Sequence, residues 1–327
     1  MPEIQQLTYG GAVNAALRRV LTEIPETLLY GEDVAKPGGV FGVTRGLERE
    51  FGARVFDTPI SESAILGSAL GAAMLGRRPI VEIMWADFSL VALDQIVNQI
   101  ANARYISRGT VGAPLVIRTQ QGTGPGACAQ HSQCLEAFFL HTPGLRVVMP
   151  STAQDAFDAV LTATYSDDPV LVVENRNLYL GAKTDVVIEG LPLPMGGSVL
   201  RRTGEHVTVL SWGSMTRRAE AAADAAVEQG ITADVIEARW LNPFDLAAVL
   251  TSVRRTGRLI VMHEANVTGG FGGEVLAQVA ESGVPLKAPP MRLGLPDIRV
   301  PAAPALAGAV VPDADTVYEA ILKLAGS

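Results

Sequence analysis

Charge is scarce in this 327-residue chain: 18% of its residues are Asp, Glu, Lys or Arg, against about 25% in an average soluble domain. Cysteine is scarcer still. The two present, Cys128 and Cys134, lack the spacing of a redox C-x-x-C pair, and with 4 scattered histidines they form no zinc pattern. A reducing, cytoplasmic setting is expected. Basic runs and stripes are missing and the net charge is −8, which speaks against nucleic acid as a partner. Membrane-length apolar runs are missing too. The most suggestive uncharged stretch, 63–76, lies between Glu62 and Arg77. As a helix it reaches about 21 Å, short of a hydrocarbon core of about 30 Å. The start, Met1-Pro2-Glu3-Ile4-Gln5, has neither a signal-peptide layout nor Arg-rich transit character.

What is present is apolar. Hydrophobic residues make up 48% of the chain, which is far from the composition of a disordered protein. It is also more than one subunit comfortably hides, so a large subunit interface is expected. At roughly 150 residues per domain, the length suggests about two domains.

Strand-like and helix-like patterns alternate almost throughout, which predicts an α/β protein with two parallel-sheet domains. In the first half, helices are expected at 8–23, 90–105 and 153–165, and strands at 27–30, 80–84, 115–119, 146–150 and 170–174. Residues 181–206 are rich in Gly and Pro and lack helical periodicity. The boundaries are therefore placed at 1–185 for the first domain, 186–206 for a linker and 207–327 for the second. In the second domain, strands are expected at 207–212, 233–238 and 259–262, and helices at 215–229, 273–280 and 315–324. Gly230 caps the first of these helices.

Glu62 stands just before an apolar helical stretch that contains Gly67 and Gly71. A carboxylate there complements the helix dipole, which is explanation enough on spacing alone. The two glycines share one helix face and permit close approach of another helix or subunit. The loop 122–126 is glycine-rich, but no Gly-Lys-Ser/Thr follows it, so it is not a P-loop. It reads better as a flexible connector to His131. Histidine as a residue type suits proton transfer, or simply hydrogen bonding within the loop. The run 269–273 follows a strand and opens a helix, yet lacks G-x-G-x-x-G order, so a tight strand-to-helix turn is expected. His263 and Glu264 end the strand before it and are candidates for an anion or interface site.

Glu62 followed by Gly67 and Gly71 resembles the E-x4-G-Φ-x-x-G motif of thiamine-diphosphate enzymes. Ser68 stands where that motif prefers an apolar residue, and is small enough to keep the packing. The whole chain resembles the β subunit of two-subunit, transketolase-like 2-oxo acid dehydrogenases. The matching pieces, in order, begin with Gly31-Glu32-Asp33-Val34, Gly39-Val40-Phe41, Thr44-Arg45-Gly46-Leu47 and residues 57–62. Asp87-Phe88-Ser89, Asp94-Gln95-Ile96, Gln130-His131-Ser132-Gln133 and Pro143-Gly144-Leu145 follow. His263-Glu264-Ala265 and Gly269-Gly270-Phe271-Gly272 complete them.

The resemblance implies roles. The Glu62 carboxyl would hydrogen-bond a ring nitrogen of the aminopyrimidine and favour its imino tautomer, which removes the thiazolium proton. That calls for a carboxyl held in a dry pocket. Phe88 would stack on the pyrimidine, a contact of roughly 0.5–1.5 kcal/mol, and Leu66 would join the cofactor-binding set. His131 would face the thiazolium and substrate, for proton transfer or for orienting the substrate carboxylate. Some family members also hold potassium with backbone carbonyls, here those of Ala113, Leu115, Val116, Ala163, Ser166 and Asp168.

The Gly-Asp-Gly…Asn motif that binds magnesium and diphosphate in this superfamily is not found, nor is another carboxylate cluster spaced for magnesium. The resemblance therefore implies half a cofactor site, completed with magnesium by an α subunit in an α2β2 heterotetramer. It also implies β–β contact and docking of a lipoylated acyltransferase core through the C-terminal domain. The expected activity is decarboxylation of a 2-oxo acid and transfer of the acyl group to lipoamide. The alternatives are a related carboligase or acyl-transfer subunit, or a non-catalytic assembly subunit. Gln130-His131-Ser132-Gln133 leans toward pyruvate or acetoin enzymes, and His263-Glu264-Ala265 toward branched-chain ones, so the substrate stays open.

Overall fold

The computed structural model describes residues 3–124 and 126–326. The chain divides into two compact units. One holds the residues up to Gln121 together with Phe138–Met195; the other holds Gly122–Ala137 and the residues from Gly196 onward. The excursion 122–137 thus groups with the second unit although its flanks belong to the first.

The first unit is built on six parallel strands. Their order is Arg146–Val148, Val170–Asn175, Val116–Gln121, Arg78–Ile83, Thr27–Gly31 and Val55–Asp57. The Val116–Gln121 and Val170–Asn175 strands are buried along their full length, as a sheet covered on both faces requires. Helix Tyr9–Glu23 packs along helix Ala153–Tyr165. Both begin as their sequences direct: Thr8 and Thr152 cap them by accepting from Gly11 and Asp155 N–H groups, each at 3.1 Å.

The expected helix over 90–105 is not continuous. It runs as a 3-10 turn at Leu90–Ala92, a π turn at Gln95–Ile100 and an α turn at Ala103–Ile106. The Ala101 N–H reaches back five residues to the Ile96 carbonyl at 3.0 Å, so the pitch widens. Apolar spacing survives such a change, which is why the sequence reads as one helix. The Gly/Pro-rich stretch carries two strands, Thr184–Val187 and Val199–Arg202.

Three strands of the first unit share a buried ion cluster. Arg118 is fully buried; its Nε and Nη2 donate to the two Glu174 carboxylate oxygens at 2.7 and 2.9 Å, and its Nη1 to Glu82 at 2.7 Å. Burial pushes the Glu82 carboxyl up despite Arg118 beside it. Tyr179 donates its hydroxyl to Glu174 at 2.5 Å.

The second unit has a five-stranded sheet in the order Met291–Leu295, Leu259–Asn266, Val207–Ser211, Ala233–Glu237, Val199–Arg202. Only the last strand is antiparallel to its neighbour. Its core joins Val207, Val209, Val235, Ile260 and Met262 to Ala219, Val317 and Ile321. Helix Met215–Ala226 ends in a 3-10 turn at Val227–Gln229, closed by Gly230 at φ 73°. The helix Leu246–Thr256, capped by Asp245, was not foreseen. Among the described residues no helix is long and apolar enough to cross a membrane.

Candidate active site

The candidate residues of the first unit gather near the carboxyl ends of its strands. From Thr27–Gly31 the chain moves outward to Val55–Asp57, then returns by helix Glu62–Met74 to Arg78–Ile83 on the other side. A reversal of this kind marks the place where open α/β sheets bind ligands. Three turns meet there. Asp57 accepts from the Ala35 and Lys36 N–H groups at 2.6 and 3.3 Å, and the Thr58 N–H donates to the Gly31 carbonyl at 2.9 Å. Gly31 is required: at φ 157° a Cβ would lie 2.5 Å from the Glu82 carbonyl oxygen.

Glu62 is the first residue of its helix, one position inside the Ser61 cap, and is half-buried. A carboxylate at that position complements the helix dipole, and its charge reaches a second carboxyl, Glu32. Burial first, then the charges of Asp33 and Glu62, push the Glu32 carboxyl above its ordinary range. The strand-end motif Gly31-Glu32-Asp33 was the available signal for Glu32, which sequence reasoning left without a role.

Leu66, one turn on, is fully buried and packs the helix to the unit. Phe88 is half-buried in the short helix Ala86–Ser89. Ser63 ties its helix to the following 3-10 turn, Leu90–Ala92, by donating to the Val91 carbonyl at 3.0 Å. Glu62 and Leu66 thus share one helix, and Phe88 stands on the segment just before the turn that this helix bonds. Of the two helix glycines, Gly67 lies against Gln95, whose Oε1 would be 3.2 Å from an added Cβ; Gly71 faces open space. Phe56, Ile60, Met74 and Val91 are exposed on these elements. The surface beside the site is apolar, as a subunit contact requires.

His131 belongs to the second unit and is half-buried. Its loop holds itself: Ser132 Oγ donates to the Cys128 carbonyl, and Cys128, at φ 50°, donates Sγ–H to Gln130 at 2.8 Å. Both cysteines are free thiols. In the preceding loop Pro125 lies outside the described residues. The rest is held rather than free: the Thr123 N–H and hydroxyl both donate to Glu264, each at 2.5 Å. Glu264 is thus an internal acceptor, not an anion site, because a buried carboxylate saturated by donors repels anions.

His263 is also fully buried, inside the strand Leu259–Asn266 rather than at its end. Its ring stacks on Trp212 with centroids 5.4 Å apart. Gly272 and Gly294 leave room for it, since a Cβ on either would come within 2.9–3.0 Å of the ring. Burial holds its pKa below the ordinary 6.5, against the opposing charge of Glu136 and with help from Arg292. Below about 6.5 the unfolded chain therefore binds the proton more readily, so stability should fall as pH drops through that value. Urea unfolding on either side of it should show a slope that His263→Gln reduces.

Among the described residues no group of three or more His, Cys, Asp or Glu is placed to hold a metal ion. The carbonyls of Ala113, Leu115, Ala163, Ser166 and Asp168 each accept a hydrogen bond. The one on Ser166 comes from the Arg78 guanidinium at 2.7 Å.

The fold defines a transketolase-like α/β protein. Residues 5–181 match the family described as "Transketolase, pyrimidine binding domain", and residues 196–317 match "Transketolase, C-terminal domain". The pyruvate dehydrogenase E1 component subunit beta of Leifsonia xyli subsp. xyli is 42% identical over 98% of this chain and 95% of its own. The acetoin:2,6-dichlorophenolindophenol oxidoreductase subunit beta of Cupriavidus necator is 39% identical over 98% and 97%. The 2-oxoisovalerate dehydrogenase subunit beta of Bacillus subtilis is 37% identical over 98% of both chains. A solved structure titled "Split gene transketolase, inactive beta4 tetramer" shares the fold, with a TM-score of 0.80 and 24% identity over 98% of this chain and 99% of that one. The chain belongs to the family of β subunits of transketolase-like 2-oxo acid dehydrogenases.

Proposed function

We propose that this chain is the β half of a thiamine-diphosphate-dependent 2-oxo acid dehydrogenase, active with an α subunit. The observation that carries the reading is Glu62, first residue of the returning helix at the sheet's switch point, in a helix that bonds the turn Leu90–Ala92 just after the Phe88 helix. A carboxyl there, with an aromatic side chain on the neighbouring segment, fits a flat ring that carries a basic nitrogen. Glu62 would hold the aminopyrimidine nitrogen, Phe88 would cover the ring and Leu66 would back the helix. When bound, thiamine diphosphate supplies the electron sink for decarboxylation. His131 orients the substrate carboxylate or relays a proton.

Magnesium and the diphosphate fall to the α subunit, in an α2β2 assembly that delivers its acyl group to a lipoylated core. The C-terminal unit provides β–β contact and docking. The relatives' names favour pyruvate, a branched-chain 2-oxo acid or acetoin as substrate, acetoin through a 39% identical β subunit. Coexpression with the α subunit and a panel of these compounds, with carbon dioxide release and lipoamide reduction followed separately, tests the reading. Turnover of none of them would sink it.

The chain alone should bind thiamine diphosphate weakly or not at all, even with magnesium present. Calorimetric titration checks this; tight one-to-one binding would show a whole site rather than half. Potassium on the 113–116 and 163–168 carbonyls is part of the same proposal, since each oxygen has two lone pairs. Replacing sodium by potassium at equal ionic strength should then raise the melting temperature of the complex.

A further inference from the structure

We propose that Glu264 is a positioning residue for the catalytic reaction: its carboxylate anchors the root of the segment that carries His131. The inference rests on the reading of His131 given above.

Glu264 lies in the strand Leu259–Asn266, between Met291–Leu295 and Val207–Ser211, and is 5% exposed. One carboxylate oxygen takes both the N–H and the hydroxyl of Thr123 at 2.5 Å; the other takes the Ser214 hydroxyl at 2.9 Å. A carboxylate so placed replaces water with fixed donors, and charge-assisted bonds are about twice as strong as neutral ones. Ser214 directly precedes helix Met215–Ala226 and spends its hydroxyl on Glu264 rather than on a helix cap, so the loop root is tied to the start of a regular element.

The far side of His131 is held by the same unit. Glu136, 1% exposed, accepts from the Trp212 indole N–H at 3.1 Å, and Gln133 accepts from Arg299. Trp212 stacks on His263, the residue beside Glu264. His131 is therefore strung between anchors at Thr123 and at Gln133 and Glu136. Without the first, eight residues of loop before the histidine lose their fixed end. Buried carboxylates with three donors also occur for stability alone, so the test must separate position from folding.

The experiment uses the full chain assembled with its α subunit. Glu264→Ala is compared with Glu264→Gln, which keeps an acceptor, and with Thr123→Val and Thr123→Ser as a milder pair in case Glu264→Ala does not fold. Hydrogen exchange over 122–137 should quicken about tenfold in Glu264→Ala and Thr123→Val, and elsewhere stay unchanged. The kcat should fall about 10- to 100-fold with little change in KM, as misplacement of a catalytic group does, and the Gln and Ser variants should recover most of it. Unchanged exchange over 122–137, or exchange raised evenly over the whole chain, overturns the proposal. A loosened segment with wild-type kcat overturns it too if His131→Ala is slow. If His131→Ala is as fast as wild type, the reading of His131 fails instead, and the segment-specific exchange still upholds the anchor.

Discussion

Replacement of Glu62 by Gln should leave the fold intact and slow exchange of the thiazolium proton by about 10²–10⁴-fold in the assembled complex. The amide fills the same space at the start of helix Glu62–Met74, so packing offers no reason for a loss. What disappears is the carboxyl. An amide cannot pass a proton to a ring nitrogen, and the change also removes the Glu62 charge that helps to raise the Glu32 carboxyl. The Gln variant should also let Glu32 return toward its ordinary range, since a neutral neighbour no longer opposes its ionisation. Proton exchange measured by quenched-flow NMR with cofactor and magnesium present gives the answer. Wild-type rates in the variant would remove Glu62 from the chemistry.

The largest effect on stability is expected at Arg118. Arg118→Met leaves Glu82 and Glu174 without their shared cation in the buried interior, 4% and 0% exposed. Breaking a buried pair from one side costs about 3–5 kcal/mol, because the remaining charge is uncompensated. Glu82 is the group to respond. Burial already raises its pKa, and without the guanidinium it should take up a proton, so part of the loss should return on acidification. The triple variant Arg118→Met, Glu82→Gln, Glu174→Gln should recover most of the stability, since removing the whole cluster is often close to neutral. Urea unfolding of the three proteins at two pH values decides the matter. A single variant as stable as wild type would mean that the cluster contributes nothing net.

These two sites differ in how far the sequence discloses them. Glu62 is legible because its context is local: a carboxylate, four residues and two glycines on one helix face. Periodicity and capping residues placed most strands and helices of the first unit for the same reason. The Arg118 cluster is not legible. Its carboxylates come from positions 36 and 56 residues away, and only the parallel register that sets Glu82 beside Arg118 brings them together. The π turn at Gln95–Ile100 was hidden because a widened pitch leaves the apolar spacing almost unchanged. Glu264 was noticed, but its strand was taken to end beside it. Four more residues of strand put it inside, where it bonds Thr123 instead of meeting a ligand. The excursion 122–137 looked like a plain loop of the first domain, since no local signal records which unit a loop packs with.

That excursion also sets a schedule for synthesis. Thr123 leaves the ribosome 141 residues ahead of Glu264, an interval of about 7–28 s at 5–20 residues per second. The strands on both sides of the excursion, Val116–Gln121 and Val170–Asn175, are available to pair early in that interval. The segment with His131 must wait as an unattached bight until its receiving strand has been made. Ribosome-bound chains stalled before residue 264 should therefore have a settled first sheet and a bight open to protease. Chains stalled once Glu264 has cleared the exit tunnel should have lost that opening.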